Sequence, residues 1–464
     1  MRHDSAPRTG AQGTDPEGHP EVRRLTTRQA AERLGVKPET VYAYVSRGQL
    51  ASTRTPGGRG STFDAAEVDA LARRTGRREP PAAAGGDLVF RTGITLVEPD
   101  RYFFRGVDAT ELARHHGFEE VAEWIWTGEL RPGIRFTAAA GPLAAARLTA
   151  ASLPRLSSAT DRLRAAVAAA AAADPLRFDL SPEGVLNSAR SLIPTLVGAL
   201  PPAGRPAEGG EDGGEDEGSL AARLWPKLSA RPADAAALAV LDTALALLAD
   251  HDLAASTLAA RVAASTHAHP YAVVSAGLGV LEGPLHGAAS GPAHRMLSEV
   301  VDRGGAAPVV ADHLRAGRRI PGLGHRLYTG EDPRATALFA LLDAMPQAAP
   351  AMAAARDVVA TAARHTPLHA NVDLALAAFS VACGMPAQMG ETVFAVSRTA
   401  GWLAHASEEY AEPPLRMRPS GQYVGPRPPR RLPEPRPVAS GPGASGSGAG
   451  GSGTDESPAG GTSG

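Results

Sequence analysis

Gly283-Pro284-Leu285-His286-Gly287-Ala288-Ala289 opens a stretch that runs, past one apparent helix, into Pro321-Gly322-Leu323-Gly324-His325-Arg326-Leu327-Tyr328 and then Asp332-Pro333-Arg334-Ala335. Each histidine sits beside glycine, on backbone that can turn sharply and let a ligand approach closely, as a working imidazole needs. One such histidine alone reads as a turn residue in solvent, since loops carry polar side chains. Two of them, with an arginine after the second and Asp-Pro-Arg just beyond, point to a site.

Working outward, Asp250-His251-Asp252-Leu253-Ala254-Ala255-Ser256-Thr257 lies upstream, and Ala370-Asn371-Val372-Asp373 lies downstream. Further on stand Ser397-Arg398-Thr399-Ala400-Gly401-Trp402-Leu403-Ala404-His405, then Arg418-Pro419 with Tyr423-Val424-Gly425. In this order and spacing the chain resembles the citrate synthase family from about Arg91 to Gly425. The resemblance implies a mainly α fold, the citrate synthase-like two-domain arrangement with a large and a small domain. It also implies condensation of acetyl-CoA with oxaloacetate and water to give citrate and CoA.

The roles follow from the same resemblance. Asp373 would be the base, His286 would donate to the thioester oxygen as the enol forms, and His325 would polarise the oxaloacetate carbonyl. Arg334, Arg398 and Arg418 would clamp the two carboxylates with His251, guanidinium forks being suited to bidentate carboxylate binding. Arg418 would come from the partner subunit, which implies a homodimer. No metal or cofactor is implied, acetyl-CoA being a substrate. Read without the resemblance, Asp373 is equally an ordinary helix N-terminal carboxylate favoured by the dipole, and each arginine a surface residue.

Composition agrees with a helical body. The 464 residues are 43% hydrophobic but only 5% aromatic, and their Ala and Leu content favours helix over sheet. A net charge of -2 carries no global signal for nucleic acid or membrane. The single cysteine, Cys383, excludes an intramolecular disulfide and a cysteine-based zinc site. No apolar leader and no membrane-length apolar run is present, so a cytoplasmic protein is expected.

The N-terminal quarter has a different character. Residues 1–20 are polar and rich in Gly and Pro, and are expected to be disordered. Residues 21–79 read as a small winged helix-turn-helix domain. Thr26 and Gln29 have capping-box spacing, Gly35 can end the first helix, and Pro38 opens a second running to Arg47. Ala30, Leu34, Val36, Val41 and Val45 would form its core, Thr53 to Gly60 a basic wing, and Asp64 with Glu67 the cap of a further helix. The stretch resembles MerR and excisionase-like modules. Between Arg23 and Arg78 there are 12 basic and 5 acidic residues, net +7, which suits contact with the phosphates of duplex DNA. Lys37, Thr40, Tyr42, Tyr44 and Arg47, with Arg54 and Arg59 of the wing, are the candidate contacts. A solvated basic face on a protein-interaction domain is the alternative.

Residues 80–90 form a linker, and 91–425 the catalytic region. Within it Ile94 to Val97 reads as a strand, 138–200 as alanine-rich helices broken at Pro154, Pro175 and Pro182, and 203–218 as an acidic, disordered insert with six carboxylates. Helices are expected over 233–248, 261–281, 335–345, 350–364, 372–384 and 388–407. A flexible Pro/Arg then Gly/Ser-rich tail fills 426–464.

The sequence departs from the family near the acyl end. Gly-Ala-Asn after the first histidine becomes Ala288-Ala289-Ser290, and the aromatic pair after the base becomes Leu374-Ala375. Propionyl-CoA, giving 2-methylcitrate, therefore stays open as the substrate. Two other readings stand beside the enzyme: a metabolite-sensing regulator built on the synthase fold, and an inert assembly partner. Joint retention of His286, His325 and Asp373 favours catalysis over both.

Overall fold

The computed structural model describes residues 24–34, 36–46, 48–54, 61–74, 90–204, 218–283, 286–415 and 417. In the N-terminal module, β1 (Arg24–Thr26), α1 (Thr27–Leu34), α2 (Pro38–Ser46), β2 (Thr53–Arg54), β3 (Ser61–Asp64) and α3 (Ala65–Arg74) follow in order. β3 lies between β1 and β2, antiparallel to both, with Leu25 opposite Phe63 and Thr53 opposite Thr62. The capping box forms as its spacing predicts: Thr26 N–H donates to Gln29 Oε1 at 3.0 Å and Gln29 N–H to Thr26 Oγ1 at 3.3 Å. Asp64 caps α3 by accepting from Ala66 N–H, whereas Glu67 reaches back to accept from Ala51 N–H at 3.1 Å.

Ala30, Leu34, Val41, Tyr44 and Phe63 form the module's core, with Val36 and Val45 packed at its edge. Tyr44, expected to face DNA, is therefore a packing residue at 9% exposed: it stands one turn beyond Val41 on the same helix face. Tyr42 points outward at 49% exposed, its hydroxyl 3.2 Å from Thr27 Oγ1. Lys37 is exposed and Thr40 half-buried. Arg47, Arg59 and the Arg54 side chain lie outside the described residues, as do the two termini, most of the linker and most of the acidic insert.

The body opens with an antiparallel sheet of β4 (Thr95–Val97), β5 (Tyr102–Phe104) and β6 (Val107–Asp108). Arg105 and Gly106, at φ 48° and 80°, make the two-residue turn between β5 and β6, where both positions need positive φ. Then come α4 (Ala109–His115), α5 (Phe118–Thr127), α6 (Ala140–Ser152), α7 (Ala159–Ala173), α8 (Pro182–Ala199), α9 (Leu220–Leu228) and α10 (Ala235–Leu248). The remainder is α11 (Ala255–Ser265), α12 (Pro270–Leu281), α13 (Ser290–Arg303), α14 (Ala306–Arg315), α15 (Pro333–Asp343), α16 (Ala349–Ala362), α17 (Val372–Ala382) and α18 (Met389–Ala411). The single helix expected over 261–281 is thus two. Pro270 can begin a helix but not continue one, and the His269 side chain caps the second through Ala272 N–H.

α18 is the spine: it touches α5, α8, α10, α11 and α12. α13 to α17 pack chiefly on one another, and meet the rest through α15 on α10 and through α13 and α17 on α18. The functional residues lie along that seam. Buried charges within the body are paired; Glu119, 2% exposed, accepts from Arg223 Nη2, Phe136 N–H and Leu220 N–H. No single helix among the described residues is long and apolar enough to cross a membrane.

Candidate active site

His251 follows α10 in a turn where Asp252 adopts φ 54°, a left-handed conformation that aspartate tolerates better than most residues. The imidazole is 6% exposed, and its Nε2 lies 2.8 Å from Tyr328 Oη. His325 packs into the same corner: its ring is perpendicular to that of His251 at 5.4 Å and stacked on Tyr328 at 4.8 Å. The backbone N–H groups of Leu327 and Tyr328 both donate to His325 Nδ1, at 3.1 and 3.3 Å. Nδ1 is therefore an acceptor, and the neutral ring carries its proton on Nε2. Burial, helped by the Arg334 charge against an opposing Asp332, pushes His325 down to about 4. Burial, then Arg334 and Arg398, hold His251 well below the usual histidine range. Both rings are neutral hydrogen-bonding groups at neutral pH.

Asp332 is the brace of the site. It caps α15 by accepting from Arg334 N–H at 3.0 Å, and its carboxylate forks with Arg334 Nε and Nη2 at 2.9 and 2.8 Å. Its Oδ2 also accepts from Val372 N–H at 3.0 Å, at the start of α17. Nη1 is the part of the Arg334 guanidinium that Asp332 leaves over. The segment before α17 pairs with the Gly322–Gly324 loop: Leu323 bridges Ala370, Asn371 N–H donates to Gly322 O, and Asn371 Nδ2 donates to Gly324 O. Gly322 is required twice over, because it has φ 78° and a Cβ there would lie 2.8 Å from Leu374 Cβ. Two loops far apart in sequence thus hold His325 and Asp373 in one rigid unit.

Asp373 stands in the first turn of α17, its N–H donating to Asn371 Oδ1 at 3.0 Å. It keeps a little surface exposure but has protein on nearly every side. That burial pushes its carboxyl up to about 6, with Arg334 opposing and the Asp332 and Glu391 charges adding. A carboxylate so placed is a competent base near neutral pH.

His286, half-buried, accepts from Ser256 N–H at 3.4 Å on Nε2, which also lies 2.8 Å from Ser256 Oγ. Ser256 Oγ in turn accepts from Trp402 Nε1 at 3.2 Å, so its own proton is aimed at His286. The ring proton then sits on Nδ1. Burial and the Arg398 charge lower His286.

Arg398 is the exception to the body's pairing of charges. It is 1% exposed and donates through Nε to Leu248 O at 2.9 Å, yet neither Nη1 nor Nη2 has a hydrogen-bond partner among the described residues. The guanidinium lies 4.6 Å from the Phe394 ring. Burial, opposed by Asp250 and reinforced by Arg334, pulls it down to about 10. Leaving buried donors on a cation unsatisfied costs several kcal/mol, a cost that an incoming carboxylate would offset. Arg418 lies outside the described residues. Among the described residues no His, Cys, Asp and Glu side chains gather as metal ligands.

The structure thus brings His251, His325 and Arg334 together around Tyr328 and Asp332. Asp373 joins them through Val372 and Asn371, and Arg398 joins them through its charge. Tyr328, Ser256 and Trp402 stand inside the quoted motifs, but their contacts join segments up to 146 residues apart, which local spacing does not reveal.

Two neutral histidines, a carboxyl raised toward neutral pH and a buried guanidinium with two free nitrogens thus share one region of a helical scaffold. The family model for citrate synthase, C-terminal domain, matches residues 85–420, and a helix-turn-helix model matches residues 24–76. Citrate synthase of Haloferax volcanii is 32% identical over 358 residues, covering 73% of this chain and 94% of that protein. Citrate synthase 2 of Bacillus subtilis is 36% identical over 188 residues, 39% of this chain and 50% of that protein. Citrate synthase of Thermotoga maritima shares the fold at TM-score 0.58 and 26% identity, over 76% of this chain and 97% of that one. The Thermoplasma acidophilum enzyme, solved with carboxymethyl coenzyme A and oxaloacetate, matches at TM-score 0.61 and 24% identity, over 75% and 97%. The chain belongs to the citrate synthase family, a family of transferases, and carries a helix-turn-helix domain at its N-terminal end.

Proposed function

We propose that the chain condenses acetyl-CoA with oxaloacetate and water to give citrate and CoA. The observation that carries this reading is the unpaired guanidinium of Arg398, buried beside two neutral histidines. Arg398, Nη1 of Arg334, His251 and Arg418 of the partner subunit in a homodimer would hold the two oxaloacetate carboxylates. Asp373 takes a methyl proton from acetyl-CoA, and the enol oxygen is held by His286 Nδ1–H. The enol carbon then attacks the oxaloacetate ketone carbon while His325 Nε2–H donates to the developing oxyanion. Water cleaves the C–S bond of the citryl thioester and releases CoA. Each preorganised donor supplies about 3 kcal/mol to such a transition state. Proton transfer and electrostatics suffice, so the reading calls for no resident metal or cofactor.

The acyl group is tested by product: citrate from acetyl-CoA or 2-methylcitrate from propionyl-CoA, identified by mass. Propionyl-CoA competes in this reading because Leu374 and Ala375 stand after the base where the family carries an aromatic pair, and Ala288-Ala289-Ser290 follow His286 where it carries Gly-Ala-Asn. A second reading, a metabolite-responsive regulator, is favoured by one observation, the helix-turn-helix domain itself. In that reading the module binds duplex DNA, with Lys37, Thr40, Tyr42, Arg47, Arg54 and Arg59 as candidate contacts. Oxaloacetate binding without turnover would make it the leading one.

A further inference from the structure

One face of α18 carries Arg398, Gly401, His405 and Glu408 at helical spacing, and it packs on the end of α10 and on α11. Gly401 N–H donates to Ala249 O at 2.9 Å, and a Cβ at Gly401 would lie 2.4 Å from Ala249 O and 2.5 Å from Asp250 Oδ1. Nothing larger than hydrogen fits there, so α18 presses directly on the turn that presents His251.

Asp250 is fully buried at that contact. Its Oδ2 accepts from Thr95 Oγ1 at 2.5 Å and from Asp252 N–H at 3.2 Å, and lies 3.4 Å from His405 Nε2. On the other side of the ring, Arg261 Nη1 donates to His405 Nδ1 at 2.7 Å. Arginine is only a donor, so Nδ1 accepts and Nε2–H is aimed at Asp250. Arg261 is itself fixed by Glu408 Oε2 at 2.7 Å and Glu409 Oε1 at 2.6 Å. The chain Glu409–Arg261–His405–Asp250 ends beneath the oxaloacetate clamp. The mechanism proposed above uses none of these four residues.

We infer that Asp250, locked by Thr95 and His405, is a positioning residue for oxaloacetate: it is the buried counter-charge of Arg398 and the pin of the His251 turn. Two further observations agree. Burial alone would raise the Asp250 carboxyl, but His405, Arg398 and Thr95 outweigh it and hold it below the usual range, so it is ionised. Around Arg398 the facing groups are Asp250 and His251 from the turn, Arg334 from α15, Tyr102 from β5 and His286, with Asp250 the anion among them. Around Asp250 they are His405, Arg398, Thr95 and Asp252.

The inference rests on Arg398 being the carboxylate clamp, so the test reads oxaloacetate binding directly, by calorimetry on the full chain, beside steady-state KM values. Asp250→Asn keeps the shape and removes the charge. We expect oxaloacetate affinity to fall about tenfold or more, with the KM for acetyl-CoA unchanged. Thr95→Val, which keeps the charge and loosens the lock, should weaken oxaloacetate binding less; it serves also if Asp250→Asn fails to fold. Equal loss for both substrates, or Asp250→Asn binding oxaloacetate as tightly as the wild type, would reduce Asp250 to a structural residue and overturn the inference. So would Thr95→Val binding oxaloacetate as tightly as the wild type. Wild-type protein that binds no oxaloacetate would overturn the proposed function first; wild-type protein that binds it without turnover leaves this inference fully testable.

Discussion

Asp332 Oδ2 accepts the Val372 N–H at 3.0 Å while the same carboxylate forks Arg334, so one buried side chain ties Arg334 to the start of the helix that carries Asp373. That anion braces the spacing of the proposed clamp and the proposed base. Removing one member of such a buried pair costs about 3–5 kcal/mol. Asp332→Asn should therefore lower the melting temperature and cut turnover by about a hundredfold or more, the latter because misplacement by an ångström suffices. Thermal melts alongside kinetics check both; wild-type kcat in the variant would refute the brace.

Asp373→Asn should abolish turnover and leave oxaloacetate binding nearly intact, since it removes the base and not the clamp. It should also stabilise the fold above pH 6. The carboxyl is raised to about 6 when folded, above its unfolded value, so the ionised form is disfavoured in the native state at pH 7 and above. That penalty, on the order of 2–3 kcal/mol before discounting for residual solvation, fades as pH falls through 6 toward 4. Melting curves of both proteins at pH 8 and pH 5 check the sign: the variant's advantage should appear at pH 8 and shrink at pH 5.

In the wild type, kcat should fall as pH drops through about 6, where Asp373 takes up its proton. His325 adds no acid limb of its own above that point, because burial pushes it down to about 4. A pH–rate profile with its acid limb near 4 would contradict the assignment of the base.

Arg398→Gln should abolish the stabilisation that oxaloacetate gives the wild type, because it removes the group whose two free nitrogens a carboxylate satisfies. Thermal shift with and without oxaloacetate reads the effect.

Residues 21–79 carry a surplus of basic residues, and duplex binding through them should weaken steeply as salt rises. A titration from low to physiological salt checks this; salt-independent or absent binding favours a protein-interaction module.

Much of the site was legible because its residues sit in short runs with their own local logic. Asp332-Pro333-Arg334 stands just ahead of the helix expected over 335–345, and the structure uses Asp332 as the cap of α15, which begins at Pro333. Asn371 stands just ahead of the helix expected over 372–384 and caps α17 in the same way. What stayed hidden depends on contacts between distant segments. The Asp250–His405 contact spans 155 residues, and the Leu323–Ala370 bridge joins two loops that no periodicity connects. The break between α11 and α12 is written in the sequence, where the polar Thr266-His267-Ala268-His269 leads into Pro270, and a single helix over 261–281 passes over that signal. Tyr44 reads as a DNA contact from its place on the second helix of a basic module, whereas its phase with Val41 turns it inward.

If His286, His325 and Asp373 together carry out acyl condensation on oxaloacetate, the full-length protein should release free CoA thiol from acetyl-CoA. Robust oxaloacetate-dependent release is expected from the wild type and none from Asp373→Asn; wild-type protein that binds oxaloacetate but releases no thiol from either acetyl-CoA or propionyl-CoA would rule the condensation out.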